Sequence, residues 1–290
     1  MLFGIKSVVK YILGTDIADR NVAVYADDTF LVSYPRSGNT WTRFLIATLL
    51  HPEVEVGFAN IDSFVPDTAA LSSRALKRTP RPRVLKSHQY FDHRYPKVIY
   101  IVRDPRDVAL SYYHFHRKYG FIHDDHPIEQ FVTDFVGGRL VSADWGTWAA
   151  NVASWIYTRG HSPTFLLARY EDLKQNTHRE LSRIATFLGV DGKPELLTKV
   201  IERSSLQRMR ELEVKEQDEW LGSRKHRKDI PFVGEASAGG WEQKLPAASV
   251  ALIESAWGEL MTKLGYKLST KLAAIDGQRG LAAQVSQPLR

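Results

Sequence analysis

Lys97–Val102 (KVIYIV) is an almost unbroken apolar run that stops at Arg103-Asp104-Pro105. A run of this kind fits a strand covered on both faces, which implies a parallel sheet between layers of helices. Residues 30–34 (FLVSY) and 164–168 (TFLLA) repeat the form, and residues 83–86 add a fourth strand candidate. Helical patterns follow the polar loops. One covers 41–50 and is closed by His51-Pro52, since proline disfavours helical geometry in the residue before it. A second runs from Asp104 or Pro105 to about Lys118, with proline suited to a first turn. A third covers 177–188, with Gly189 as its C-terminal cap. Further helices are predicted at 128–136, 147–157, 194–202, 205–212 and 247–264. Strands alternating with helices predict an α/β fold with a central parallel β-sheet flanked by helices.

Composition narrows the class. A chain of 290 residues with 43% hydrophobic residues can bury a large core. No linker-like stretch or repeat divides it, so one domain over 1–290 is expected. The absence of cysteine excludes a disulfide framework, a thiolate nucleophile and a Cys-based zinc site. A net charge of +6 suits an anionic ligand, a nucleic acid or an acidic membrane surface, and equally a mildly basic soluble protein. No run approaches the ~18 apolar residues of a membrane span. Leu2, Ile5, Val9 and Ile12 form a stripe at helical spacing beside Lys6 and Lys10. Docking on the chain's own core is the expected use, with peripheral membrane contact as the alternative. The expectation is a soluble, cytoplasmic protein.

Ligands of open parallel sheets bind beyond the carboxyl ends of the strands. The loop there after the first strand reads Tyr34-Pro35-Arg36-Ser37-Gly38-Asn39-Thr40-Trp41. Backbone N–H groups at a helix start attract phosphate. Gly38 permits close backbone approach, Arg36 offers a planar cationic fork, and Ser37 and Thr40 add hydroxyls. The magnesium-binding Lys-[Ser/Thr] pair of a Walker A loop is absent, and no such string occurs elsewhere. On spacing alone an ordinary turn is an equal reading.

The string YPRSGNTW resembles YPKSGTTW, the 5′-phosphosulfate loop of the sulfotransferases that use 3′-phosphoadenosine-5′-phosphosulfate (PAPS). The resemblance implies a P-loop-like nucleotide-binding fold. It also implies that Arg36, Ser37, Gly38, Asn39 and Thr40 hold the 5′-phosphosulfate while Trp41 packs on the adenine. The segment from Ile101 through Arg103 and Ser111 to Phe115 resembles the second nucleotide motif, which assigns Arg103 and Ser111 to the 3′-phosphate. Arg106, Asp104 and Asp107 within it are read as a solvated turn with local ion pairs. Lys86-Ser87-His88 resembles the family's K-T-H segment, in which the histidine is the general base. A hydroxyl is a poor nucleophile, and an imidazole with an ordinary pKa near 6.5 can take its proton near neutral pH. Lys86 and Arg36 are the cations expected on the leaving side, so that no metal is required.

Other matches are weaker. Arg169-Tyr170-Glu171-Asp172 resembles a segment whose tyrosine approaches the adenine, and Ser204 falls in a segment resembling T-S-F-x-x-M, with Leu206 in place of the aromatic residue. A helix cap and a core-facing helix start are equal readings for these two. The family pattern R-K-G-x-x-G-x-W aligns with residues 234–241, where Gly234 and Glu235 replace the Arg-Lys pair. Arg224, Lys225, Arg227 and Lys228 are nearby cations that could fill in. The resemblance runs from about Phe30 to Tyr266. It implies a sulfotransferase with PAPS as co-substrate, PAP as product, and a small-molecule, glycan or lipid acceptor, with no nucleic acid partner. Residues 52–81, 112–145 and 210–237 are the expected lids and acceptor walls, and oligomeric state stays open. A nucleotide kinase on a similar scaffold and a non-catalytic basic anion-binding module are the competing readings.

Overall fold

The computed structural model describes residues 16–142, 144–216, 219, 227–234 and 238–269. Four strands form one parallel sheet: β1 (Thr29–Ser33), β2 (Val84–Ser87), β3 (Lys97–Val102) and β4 (Phe165–Arg169), in the order β2-β1-β3-β4. Thr29 lies opposite Val84 on one side and Lys97 on the other, so β1 is central. The chain leaves β1 toward β2 and returns past it to β3, which makes the carboxyl ends of β1 and β3 the switch point where such sheets open a crevice.

Alternation along the strands divides the core. Phe30 and Val32 of β1, with Val98, Tyr100 and Val102 of β3, belong to one apolar cluster. Leu31, Ile99 and Ile101 belong to the other. Side chains of a strand point to opposite faces in turn, so both faces must be apolar, and the unbroken KVIYIV run is the result. Helix α1 (Asn39–Leu50) packs on the second face, contributing Phe44, Leu45, Ala47 and Leu49. Short helices α2 (Ile61–Phe64) and α3 (Ser73–Lys77) follow. The first face is covered by α4 (Pro105–Lys118), α5 (Ile128–Val136), α6 (Trp148–Arg159) and, from the far end of the chain, α12 (Ala247–Lys263). Between them in sequence lie α7 (Tyr170–Gln175), α8 (Thr177–Leu188), α9 (Pro194–Arg203), α10 (Leu206–Glu216) and α11 (Trp241–Lys244).

The predicted elements are present with shifted ends. β2 and β4 each begin and end one residue later than expected. Arg83 is a buried anchor rather than a strand residue, donating to both Asp28 oxygens at 2.8 and 2.6 Å. α1 begins at Asn39 because Gly38, in the left-handed region at φ 94°, is its N-cap. α7 was not expected; it starts directly at the end of β4. Gly189, at φ 77°, ends α8 as expected. Leu2, Ile5, Val9 and Ile12 lie outside the described residues, as do Arg224, Lys225 and Glu235. Among the described residues no helix is long and apolar enough to cross a membrane.

Candidate active site

The loop between β1 and α1 is shaped by two left-handed residues, Arg36 at φ 67° and Gly38 at φ 94°. Gly38 is obligatory on two counts. A side chain is strained at that φ, and a Cβ there would stand 2.3 Å from the Tyr170 ring. The first amides of α1 have no acceptor within the helix and face the loop. Asn39 lines the same cleft, and its side chain anchors the loop: Nδ2 donates to Ser33 Oγ at 3.1 Å and to the Leu31 carbonyl at 3.4 Å, pinning α1 to β1. Ser37 is fully buried, and its hydroxyl has no hydrogen-bond partner among the described residues.

The second loop meets the first at Arg36. Arg36 Nε donates to Ser111 Oγ at 3.2 Å, and Arg103 Nη1 donates to the Arg36 carbonyl at 3.1 Å. The Arg36 guanidinium lies between the rings of Phe115 (5.0 Å) and Phe232 (4.9 Å). Burial lowers its pKa to about 10, which leaves it cationic at neutral pH. Arg103 covers the Tyr170 ring at 4.5 Å, and Tyr170 meets Trp41 edge-on at 6.0 Å. Arg36, Gly38, Thr40, Trp41, Arg103, Ser111 and Tyr170 therefore line one cleft of about 1210 Å³, together with Lys86 and His88. Ser204 does not line it. It is fully buried, with its hydroxyl 3.5 Å from Thr48 Oγ1, and its carbonyl accepts from Trp41 Nε1 at 3.0 Å. Its contribution is to hold Trp41.

His88 follows β2 at the carboxyl edge of the sheet. Its Nδ1 lies 2.7 Å from the Ser33 carbonyl. A carbonyl only accepts, so Nδ1 carries the proton and Nε2 keeps a lone pair. The ring packs against Trp145 at 5.4 Å. Asn151 Nδ2 donates to the carbonyls of both His88 (3.0 Å) and Trp145 (2.7 Å), while its Oδ1 accepts from Tyr100. Burial, reinforced by the Lys86 charge, lowers the His88 pKa to about 3 despite the opposing pull of Asp67 and the Ser33 carbonyl. At that value the imidazole is neutral near neutral pH. Lys86, expected as a cation on the leaving side, has its ammonium paired with Asp67. Burial alone would raise the Asp67 pKa, but Lys86 and Arg43 outweigh it and hold that carboxyl at about 2. Asp67, Trp145 and Asn151 escaped the sequence reading. Asp67 and Trp145 fell in segments marked only as walls, and no motif flags Asn151.

The family described as "Sulfotransferase domain" matches residues 26–265. The chain belongs to the sulfotransferase family. Sulfotransferase 1A1 of Rattus norvegicus is 26% identical over 280 residues, covering 91% of this chain and 95% of the relative. Sulfotransferase 2A1 of Homo sapiens is 32% identical over 199 residues, covering 64% of this chain and 67% of the relative. Among solved structures, retinol dehydratase in complex with androsterone and inactive cofactor PAP aligns with a TM-score of 0.69 at 19% identity, covering 92% of this chain and 88% of that one. Mouse sulfotransferase SULT7A1 complexed with PAP aligns with a TM-score of 0.65 at 22% identity, covering 92% and 91%. These two likenesses establish the shared fold, a parallel sheet between helices. The chain is accordingly an enzyme of the PAPS-dependent class.

In this sulfotransferase the Arg103-Asp104-Pro105-Arg106-Asp107 turn is buried, not solvated as its charges suggested. Arg106 pairs with Asp104 at 2.6 Å and with Glu254 at 2.5 Å, and its guanidinium stacks 3.6 Å from the Trp241 ring. Asp107 accepts from the backbone N–H groups of Gly239 (2.7 Å) and Trp241 (3.0 Å). The surviving Gly-x-Trp end of the last motif is thus clamped to the turn that carries Arg103. Arg227, one of the nearby cations that could fill in for the Arg-Lys pair, pairs at the surface with Asp124 (2.6 Å) and Asp229 (2.5 Å). Among the described residues no group of three or more His, Asp or Glu is placed to hold a metal ion.

Proposed function

We propose that this sulfotransferase binds PAPS in the cleft and transfers its sulfuryl group to an apolar acceptor hydroxyl or amine, with His88 as general base. The supporting observation is the bond between His88 Nδ1 and the Ser33 carbonyl, which leaves Nε2 unprotonated in the cleft that the phosphate loop also lines. The residues suit the nucleotide. The orphaned Ser37 hydroxyl and the left-handed Gly38 belong to a loop that brings backbone donors to an anion. PAPS supplies an activated sulfuryl group and leaves as PAP. Arg36 and the first amides of α1 stabilise negative charge on the leaving side. Arg103 and Ser111 hold the 3′-phosphate, and Trp41 and Tyr170 hold the adenine. Lys86, already balanced by Asp67, orients rather than supplies net charge. His88 Nε2 accepts the proton of the attacking hydroxyl.

Leu110, Phe115, Phe121, Trp145 and Ile230 give the remaining cleft wall an apolar character. That wall suits an apolar alcohol, the class to which the androsterone and retinol of the retinol dehydratase complexes belong. Thermal melting with PAP, with PAPS and with ATP plus magnesium tests the reading. A ligand at a hundredfold excess over its Kd adds about 2.7 kcal/mol to the folded state. The expected outcome is a shift with PAP and PAPS and none with ATP, and the reverse pattern would favour a kinase.

A further inference from the structure

Arg103 and Lys174 are two cations lining one cleft. They arrive from different elements, Arg103 just after β3 and Lys174 from the last turn of α7. Aromatic rings lie between them. Arg103 covers Tyr170 at 4.5 Å, Tyr170 meets Trp41 at 6.0 Å, and Lys174 Nζ lies 5.3 Å from the centre of the Trp41 ring. Tyr170 and Lys174 are four residues apart on one helix, so both side chains fall on the same face. No carboxylate among the described residues pairs with Lys174, whose ammonium sits over the Trp41 ring. Glu171 accepts from the Asp104 N–H at 2.9 Å and from the Tyr266 hydroxyl at 3.1 Å, and Asp107 holds Gly239 and Trp241. Burial and the Arg103 charge both lower the Lys174 pKa. Like charges on a partly shielded wall repel unless an anion sits with them.

We propose that Lys174 is a phosphate-binding residue that joins Arg103 in holding the 3′-phosphate of the nucleotide. The proposal rests on the reading of the cleft as a PAPS site. It accounts for how the site retains two cations although Gly234 and Glu235 stand where the family pattern has arginine and lysine. Lys174 comes from a different element than Arg103, on the helix that also presents Tyr170.

The test is titration of the purified protein, Lys174→Met and Lys174→Arg with PAP and with AMP, which lacks the 3′-phosphate. Loss of one charged hydrogen-bonding partner predicts that Lys174→Met weakens PAP about tenfold. AMP affinity stays within about twofold, as expected when the deleted contact is to the 3′-phosphate alone. Lys174→Arg restores most of the PAP affinity. Equal losses for PAP and AMP would assign Lys174 to the adenine plate instead and overturn the proposal. Unchanged PAP affinity in Lys174→Met would also overturn it while leaving the reading of the cleft intact. Wild-type protein that does not bind PAP would overturn both.

Discussion

His88 donates its Nδ1–H to the carbonyl of Ser33 at 2.7 Å, and Ser33 is the last residue of β1, the strand that launches the loop of Arg36 and Gly38. The candidate base and the candidate anion loop are therefore registered to each other by one hydrogen bond. β2 pairs with β1 in parallel, with Val32 opposite Ser87, which delivers His88 beside that carbonyl. Sheet register positions the chemistry.

Replacing His88 removes the proposed base while leaving the loop between β1 and α1 in place. His88→Ala is expected to lower kcat by at least about a hundredfold, the usual contribution of a positioned general base. PAP affinity is expected to stay within about threefold, measured by calorimetric titration.

The depressed His88 pKa carries a sign. A histidine at about 3 in the folded chain and near 6.5 unfolded binds its proton in the unfolded state first as the pH falls. Its stabilising contribution is complete above pH 6.5 and is lost as the pH falls from 6.5 toward 3. His116 adds to the same window, because burial, with a smaller push from His126, lowers its pKa to about 4. His88→Gln should therefore lose less stability than wild type between pH 6.5 and 4 in urea melts at stepped pH. The acid limb of kcat/KM should show no His88 titration near its ordinary value of 6.5.

Gly38→Ala meets two obstacles, φ 94° and a Cβ position 2.3 Å from the Tyr170 ring. Strain of that kind costs about 1–3 kcal/mol. Both melting temperature and PAP affinity should fall, since the displaced Tyr170 lines the cleft proposed to hold the nucleotide.

Asp107 holds the Gly239 and Trp241 amides, two bonds to a buried carboxylate. Asp107→Ala is expected to destabilise the fold by about 2–4 kcal/mol. Asp107→Asn retains an acceptor and should recover part of that. Hydrogen exchange at Gly239 and Trp241 would report the loosened turn directly.

Much of this was legible in the sequence. The KVIYIV run dictated a sheet covered on both faces, and the two polar loops identified Arg36, Gly38, Trp41, Arg103 and Ser111, which do line one cleft. What stayed hidden depends on distant partners. Asp104, Arg106 and Asp107 read as solvated because Glu254, which pairs with Arg106, lies 148 residues away. The pairing of Lys86 with Asp67 was not legible because Asp67 sits in a segment that carries no motif. The ordinary pKa of histidine gave no hint of about 3, because burial is a property of the fold. Ser204 matched a motif by position, yet its hydroxyl turns toward Thr48 behind the cleft wall.

The most direct test follows PAP release from PAPS in the presence of apolar alcohols and phenols, with wild type and His88→Ala side by side. The account predicts acceptor-dependent PAP formation by wild type and at least about a hundredfold less by His88→Ala, with PAP binding retained. Equal turnover by the two proteins would contradict His88 as the base. PAP binding without PAP release on any hydroxyl or amine acceptor would contradict sulfuryl transfer itself.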